Sequence, residues 1–228
     1  MSVSQAEKAK KFRALHEAPG AFVIANPWDA GSARMLAGLG FEALATSSGA
    51  KAGMLGKRDG KVTREEALAN AKLIVEACDL PVSADLEKGF GDGPDAAAET
   101  IRQAAGVGLV GGSIEDASGN REAPLYDVET ATARVAAAVK AARALDFPFV
   151  LTARAEGFLR GMPDLDEVIK RLKSFEAAGV KRISLATSLY RAAMTGLLDA
   201  AKEVKERGTF TYLDHAIPTP DLNAFMKE

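Results

Sequence analysis

A repeated joint constrains this chain more than any other feature of its sequence. Ala104-Ala105-Gly106-Val107 and Ala177-Ala178-Gly179-Val180 each end a helical pattern with glycine and open an apolar run with valine. Leu36-Ala37-Gly38-Leu39-Gly40 does the same work earlier in the chain. The apolar runs, at 22–25, 43–46, 82–86, 109–114, 149–153 and 182–186, are continuous rather than alternating, as expected of strands buried on both faces. Between them, 31–39, 64–77, 94–105, 128–144 and 165–178 carry Ala, Leu and Val at helical spacing with Lys, Arg and Glu opposite, the pattern of helices covering a sheet. Helix, glycine, short buried strand and polar loop, repeated, is the βαβ rhythm of a parallel sheet. The first strand leads into Asn26-Pro27-Trp28-Asp29 and not into a glycine-rich dinucleotide turn, so a barrel is favoured over an open doubly wound sheet.

With 228 residues, 47% hydrophobic and 26% charged, and no linker-like stretch, the chain reads as one globular α/β domain over 1–228. A formal net charge of −2 and scattered basic residues give no reason to expect nucleic acid or an anionic membrane as partner. The single cysteine, Cys78, excludes an intrachain disulfide and a Cys-rich zinc site, and reads as a small buried hydrophobe. No apolar run approaches the ~20 residues that span a bilayer. The charged N-terminus lacks the apolar core of a signal peptide, so the cytoplasm is the expected compartment.

Chemistry in parallel α/β folds sits beyond the carboxyl ends of the strands, and there the chain repeatedly places acidic groups. One such carboxylate is usually an N-cap or a solvated loop residue. Asp85, Glu87 and Glu115 stand apart, because they end neighbouring strands within apolar runs where an unpaired charge is expensive. Asp85 and Glu87, two apart, would share one face of an extended segment. An oxygen-only set without His or Cys suits Mg²⁺, or Mn²⁺, over zinc. Arg154 ends the fifth strand, where its planar fork could hold a substrate carboxylate or neutralise the acidic cluster. Ser47-Ser48-Gly49 offers main-chain N–H groups and hydroxyls at a strand–loop junction, a candidate anion cradle. Trp28 reads as a packing anchor at the base of its loop.

These segments together resemble the isocitrate lyase/phosphoenolpyruvate mutase superfamily. The likeness is carried by Asn26-Pro27-Trp28-Asp29, Thr46-Ser47-Ser48-Gly49, Leu55-Gly56 through Asp59-Gly60, Ser83-Ala84-Asp85-Leu86-Glu87, Ser113-Ile114-Glu115-Asp116, Thr152-Ala153-Arg154 and Lys181-Arg182-Ile183-Ser184. It implies a TIM-type barrel in a homo-oligomer, with a C-terminal helix at about 219–228 exchanged between subunits. It also implies Mg²⁺ near Asp85, Glu87 and Glu115, with Asp59 in the same network. A small 2-oxo acid or dicarboxylate would lie beside Trp28, Ser47, Ser48 and Gly49, with Asp59 and Arg154 as the catalytic pair.

The chain departs from that family in two respects. Lyase members carry an acid cysteine on the loop after the fourth strand, where this chain reads Ala117-Ser118-Gly119-Asn120-Arg121-Glu122-Ala123-Pro124-Leu125-Tyr126-Asp127. The expectation is therefore the short phosphonomutase-like branch: a lyase, decarboxylating an oxaloacetate-like acid through an enolate. Phosphonopyruvate-type P–C chemistry is the alternative. In addition, six strands are expected where the family has eight, so the barrel is incomplete by two βα units. Exposed sheet edges would then favour pairing between chains, and a catalytically impaired oligomeric scaffold becomes a third reading.

Overall fold

The computed structural model describes residues 3–19, 22–157, 164, 166, 183–184 and 187–226. In chain order these form α1 (Gln5–Glu17), β1 (Val23–Ile24), α2 (Ala30–Gly38), β2 (Leu44–Ala45), α3 (Ser48–Met54), α4 (Arg64–Ala77), β3 (Val82–Asp85), α5 (Pro94–Gly106), β4 (Gly111–Glu115), α6 (Val128–Arg143), β5 (Val150–Arg154), β6 (Ile183–Ser184), α7 (Ser188–Arg207) and α8 (Thr219–Ala224), with a 3₁₀ turn at Thr211–Asp214 before α8. All strand pairs are parallel: β1 with β6, and β2, β3, β4 and β5 in that order. A parallel bridge between Ala25 and Leu44, with Ala45 N donating to Ala25 O at 2.9 Å, joins the two sets. The order is thus β6-β1-β2-β3-β4-β5, in which the last strand pairs with the first as in a TIM-type barrel.

Six strands form among the described residues; the first five are each shifted or shortened by a few residues against expectation, and β6 is described at Ile183–Ser184. Two helices went unread. Ser48–Met54, with two glycines, reads as a loop in the sequence, and Ser188–Arg207 shows no clear apolar face there. Apart from Asp166, the helix expected at 165–178 lies outside the described residues, as do the signature Lys181-Arg182 and most of the strand expected at 182–186.

Local chemistry explains the helix boundaries. Reciprocal capping boxes open α1 (Ser4 with Glu7), α2 (Asp29 with Ser32) and α4 (Thr63 with Glu66), and Pro94 sits in the first turn of α5. Each helix turns alanines and a few large aliphatics inward. Leu68, Ala71 and Ile74 of α4, Ala97 and Ile101 of α5, and Ala138 of α6 join Val82, Leu86 and Ile114 in one core. Cys78 ends α4 and is buried, as expected.

The N-terminal ends of the strands are covered by α1. Phe12 packs with Ile24, Ala43, Ala45 and Val110, while Gln5 Nε2 donates to the carbonyls of Ala105 and Leu109 at 2.8 and 3.0 Å. Beneath the Phe12 ring lies Gly111. A Cβ there would stand 2.7 Å from Phe12 Cε1 and 2.8 Å from the Val150 carbonyl oxygen, which the neighbouring strand fixes. Gly111→Ala is therefore expected to cost about 1–3 kcal/mol, the range of overpacked cores. The expected result is a lower urea midpoint at unchanged slope; an unshifted midpoint would mean that β4 and β5 can separate locally.

At the other end of the chain, Glu203 of α7 accepts hydrogen bonds from Thr209 Oγ1, from the N–H and hydroxyl of Thr211 and from Tyr212 N, which hold its pKa near about 2 and fasten the turn before α8. Phe225, just after α8, lies against Gly38 of the same chain. Among the described residues no helix is long and apolar enough to cross a membrane.

Candidate functional site

Strand register brings the acidic residues together. Asp85 ends β3, Glu115 ends β4 and Arg154 ends β5, with Glu115 and Arg154 register partners. Cross-links brace these ends: Asn26 Nδ2 donates to the carbonyls of Ala45 and Thr46 at 2.9 and 3.2 Å, and Asp85 N donates to Thr46 Oγ1 at 3.0 Å.

Arg154 is the hub. Its Nη1 lies 2.9 Å from Asp85 Oδ2, and its Nη2 lies 2.8 Å from Glu115 Oε2 and 2.9 Å from Glu156 Oε1. Burial alone would lower its pKa, but Asp85, Glu115 and Glu156 outweigh that and hold it above the ordinary value. Burial likewise pushes the Asp85 carboxyl up, and Arg154, Lys51 and the N–H groups of Glu87 and Ser48 reverse it, leaving the pKa lowered. Of the two roles open to Arg154, neutralising the cluster is the one these contacts display. Its side chain stays 32% exposed, so one face remains accessible.

Glu87 takes a different direction from the one an extended segment would give. Its φ of 51° places it in the left-handed region, so the two-residue alternation with Asp85 is broken. That conformation costs a non-glycine residue roughly 1–2 kcal/mol. The turn points Glu87 Oε1 at Lys51 Nζ, 3.4 Å away. Burial raises the Glu87 pKa; Lys51 opposes that, and Asp85 and Asp59 add to it. A cavity of about 350 Å³ opens beside it, bounded by Gly60, Val62, Thr63 and Phe90.

The cradle segment stands beside these groups. Ser47 caps α3, Ser48 N donates to Asp85 Oδ2 at 3.3 Å, and a Cβ on Gly49 would lie 3.5 Å from Asp59 Oδ2 and 2.8 Å from Thr187 Cγ2. Gly49 thus permits Asp59 and the start of α7 to approach. Trp28 packs edge-on against Tyr190 of α7, with ring centroids 5.4 Å apart. Four groups of this neighbourhood were not selected from the sequence: Lys51, Glu156, Thr187 and Tyr190. Lys51, 1% exposed, was the most legible, as the lone charge in the small-residue run Ser48-Gly49-Ala50-Lys51-Ala52-Gly53.

Among the described residues no three His, Cys, Asp or Glu side chains are disposed to hold an ion directly. The donor set nevertheless fits a hard divalent cation that keeps most of its water, as Mg²⁺ does. All donors are oxygens, and the carboxylates of Asp59, Asp85, Glu87, Glu115, Asp116 and Glu156 outnumber the cations Lys51 and Arg154.

The fold and site define the class: a barrel-type parallel α/β protein whose buried carboxylates gather at the carboxyl ends of β3 and β4. More narrowly, the chain belongs to the phosphoenolpyruvate phosphomutase family, whose sequence profile matches residues 12–179. That places it in the isocitrate lyase/phosphoenolpyruvate mutase superfamily, as the motifs had indicated. It is 30% identical to the oxaloacetate decarboxylase of Ectopseudomonas mendocina (strain ymp) over 80% of this chain and 63% of that protein. It is also 30% identical to the 2-methylisocitrate lyase of Bacillus subtilis (strain 168), over 79% of this chain and 60% of that one. The chain thus spans less than two thirds of either relative's length. A crystal structure from Burkholderia cenocepacia J2315, assigned as a lyase/mutase, superposes with a TM-score of 0.93 and 44% identity, covering 97% of this chain and 96% of the other.

Proposed function

We propose that this protein is a divalent-metal-dependent carbon–carbon lyase that decarboxylates a small oxaloacetate-like 2-oxo dicarboxylic acid. The observation that carries this reading is Asp85 Oδ2, which receives both the Ser48 N–H and the Arg154 guanidinium. One carboxylate thereby joins the acidic cluster, the cradle segment and the strand-end arginine.

In this reading the Ser47–Gly49 segment and the exposed face of Arg154 bind the substrate's 2-oxo carboxylate end. Asp85, with Glu87 and Glu115 through water, would hold Mg²⁺, with Mn²⁺ as a substitute. When bound, the ion supplies positive charge at the 2-oxo oxygen. The bond that breaks is C3–C4: its electron pair passes to C3 and the oxo oxygen, CO₂ leaves, and C3 then takes a proton. Asp59, which is exposed and close to Gly49, would carry that proton through a water molecule. Lys51 keeps Glu87 turned inward. The cysteine-free loop after β4 supports a decarboxylase over methylisocitrate-type cleavage. In the structure that loop closes on itself through an antiparallel Ala117–Leu125 bridge.

The family's phosphomutase membership makes phosphonopyruvate the second substrate to assay. The test is pyruvate release from oxaloacetate, with and without Mg²⁺, against the rate of the metal alone. A protein-dependent rate that EDTA abolishes is expected. Turnover of phosphonopyruvate alone would shift the reading to P–C chemistry, and turnover of neither would leave the scaffold reading.

A further inference from the structure

The largest fully buried side chain in the described structure is neither in the cluster nor apolar. It is Arg134 of α6, 1% exposed. Its hydrogen-bond acceptors are main-chain carbonyls: Nη1 donates to those of Asp92 and Gly93, and Nη2 to that of Lys88. The guanidinium lies over the Tyr126 ring at 4.4 Å. A buried cation is costly unless something compensates it, and here the compensation is three carbonyls of a single turn, the one that begins at Glu87.

That turn needs an external hold. Glu87 and Phe90 both have left-handed backbones, with φ of 51° and 56°, a conformation that persists only where the surroundings impose it. Three further contacts brace the same segment. Lys88 Nζ donates to Asp92 Oδ1 at 2.6 Å and to the Ser118 carbonyl at 2.7 Å, and Tyr126 OH donates to Asp92 Oδ1 at 2.6 Å. Glu115 N donates to the Glu87 carbonyl at 3.0 Å, which ties the turn to the end of β4.

We infer that Arg134 is a positioning residue, clamping the left-handed turn Glu87–Gly93 so that the Glu87 carboxylate faces the cation site. This rests on the reading that Glu87 belongs to the shell of the divalent ion. Supporting groups of that kind typically change metal affinity by about 10–100-fold when removed.

The test is Mn²⁺ binding, read by loss of the free-ion electron paramagnetic resonance signal, with circular dichroism to confirm folding. The proteins compared are the wild type, Arg134→Met, Arg134→Lys, Glu87→Gln and the double variant Arg134→Met/Glu87→Gln. Arg134→Met is expected to bind Mn²⁺ about tenfold more weakly, at the lower end of that range. Arg134→Lys should recover part of the loss. In the Glu87→Gln background the Arg134 substitution should have no further effect, because the two act through one carboxylate. An unchanged affinity in folded Arg134→Met, or a loss that persists undiminished beside Glu87→Gln, overturns the inference. If Arg134→Met does not fold, Arg134→Lys decides: wild-type affinity in that variant overturns it. A wild type that ignores Mn²⁺ overturns the metal reading and takes this inference with it, whereas a binding wild type with indifferent variants overturns this inference alone.

Discussion

Asp85→Ala is expected to reduce metal-dependent pyruvate release to the rate of the metal alone, while leaving the protein folded. The size of the effect follows from how much meets at this carboxylate. Asp85 accepts from Ser48 N and Glu87 N and faces Arg154. Removing one pre-organised charge of this kind from an active site commonly costs about 10²–10³-fold in rate. The main-chain bond from Asp85 N to Thr46 Oγ1 survives the substitution, and Arg154 keeps Glu115 and Glu156. The strand end should therefore hold. Asp85→Asn is the sharper companion, since it keeps the side chain's shape and one accepting oxygen, for either the Ser48 or the Glu87 N–H, but carries no charge. Wild-type turnover in either folded variant would remove Asp85 from the mechanism.

Arg154→Met should produce the largest loss of stability. The substitution leaves Asp85, Glu115 and Glu156, with side chains 12%, 9% and 6% exposed, facing one another without their common cation. Removing one member of a buried ion pair typically costs about 3–5 kcal/mol, so the urea midpoint at neutral pH should fall sharply. The pH dependence has a definite sign. In the wild type the Asp85 pKa is lowered, so its ionisation contributes stability above the unfolded-state pKa, and that stability is lost as pH falls. In the variant Asp85 loses the Arg154 charge that opposes its burial, its carboxyl takes up a proton more readily, and folding is favoured by acid. The gap between the two proteins should thus be widest at neutral pH and narrow towards about pH 5, closer to ordinary carboxylate values. Equal gaps at both pH values would mean that Arg154 acts through packing and not through charge.

Much of this protein could be read from residue order alone. The joint Ala104-Ala105-Gly106-Val107 places the end of α5 and the start of β4 within a few residues, because glycine end-caps and buried apolar runs are local properties. Arg64–Ala77 was read to its bounds, since Thr63 and Glu66 form a capping box and the alanines keep helical period. The helix at Ser48–Met54 was not, because two glycines and two lysine-flanking alanines look like loop until Ser47 caps them and Thr187 and Tyr190 pack on top. The long α7 escaped notice as well, its apolar residues being largely exposed and so leaving no clean inward face.

The site divides in the same way. Which charged residues stand at or just past strand ends is a matter of sequence, and Asp85, Glu87, Glu115 and Arg154 are legible on that ground. Their mutual arrangement was settled only by the tertiary structure. Parallel register set Glu115 beside Arg154, and a left-handed backbone at Glu87, in a turn whose carbonyls Arg134 holds, brought that side chain to Lys51, buried in α3. Periodicity and end-caps act between residues a few positions apart, so the order of residues determines them. Ion pairs between Asp85 and Arg154, or Lys51 and Glu87, join residues far apart in the chain, and only the packed barrel decides which charges share the space.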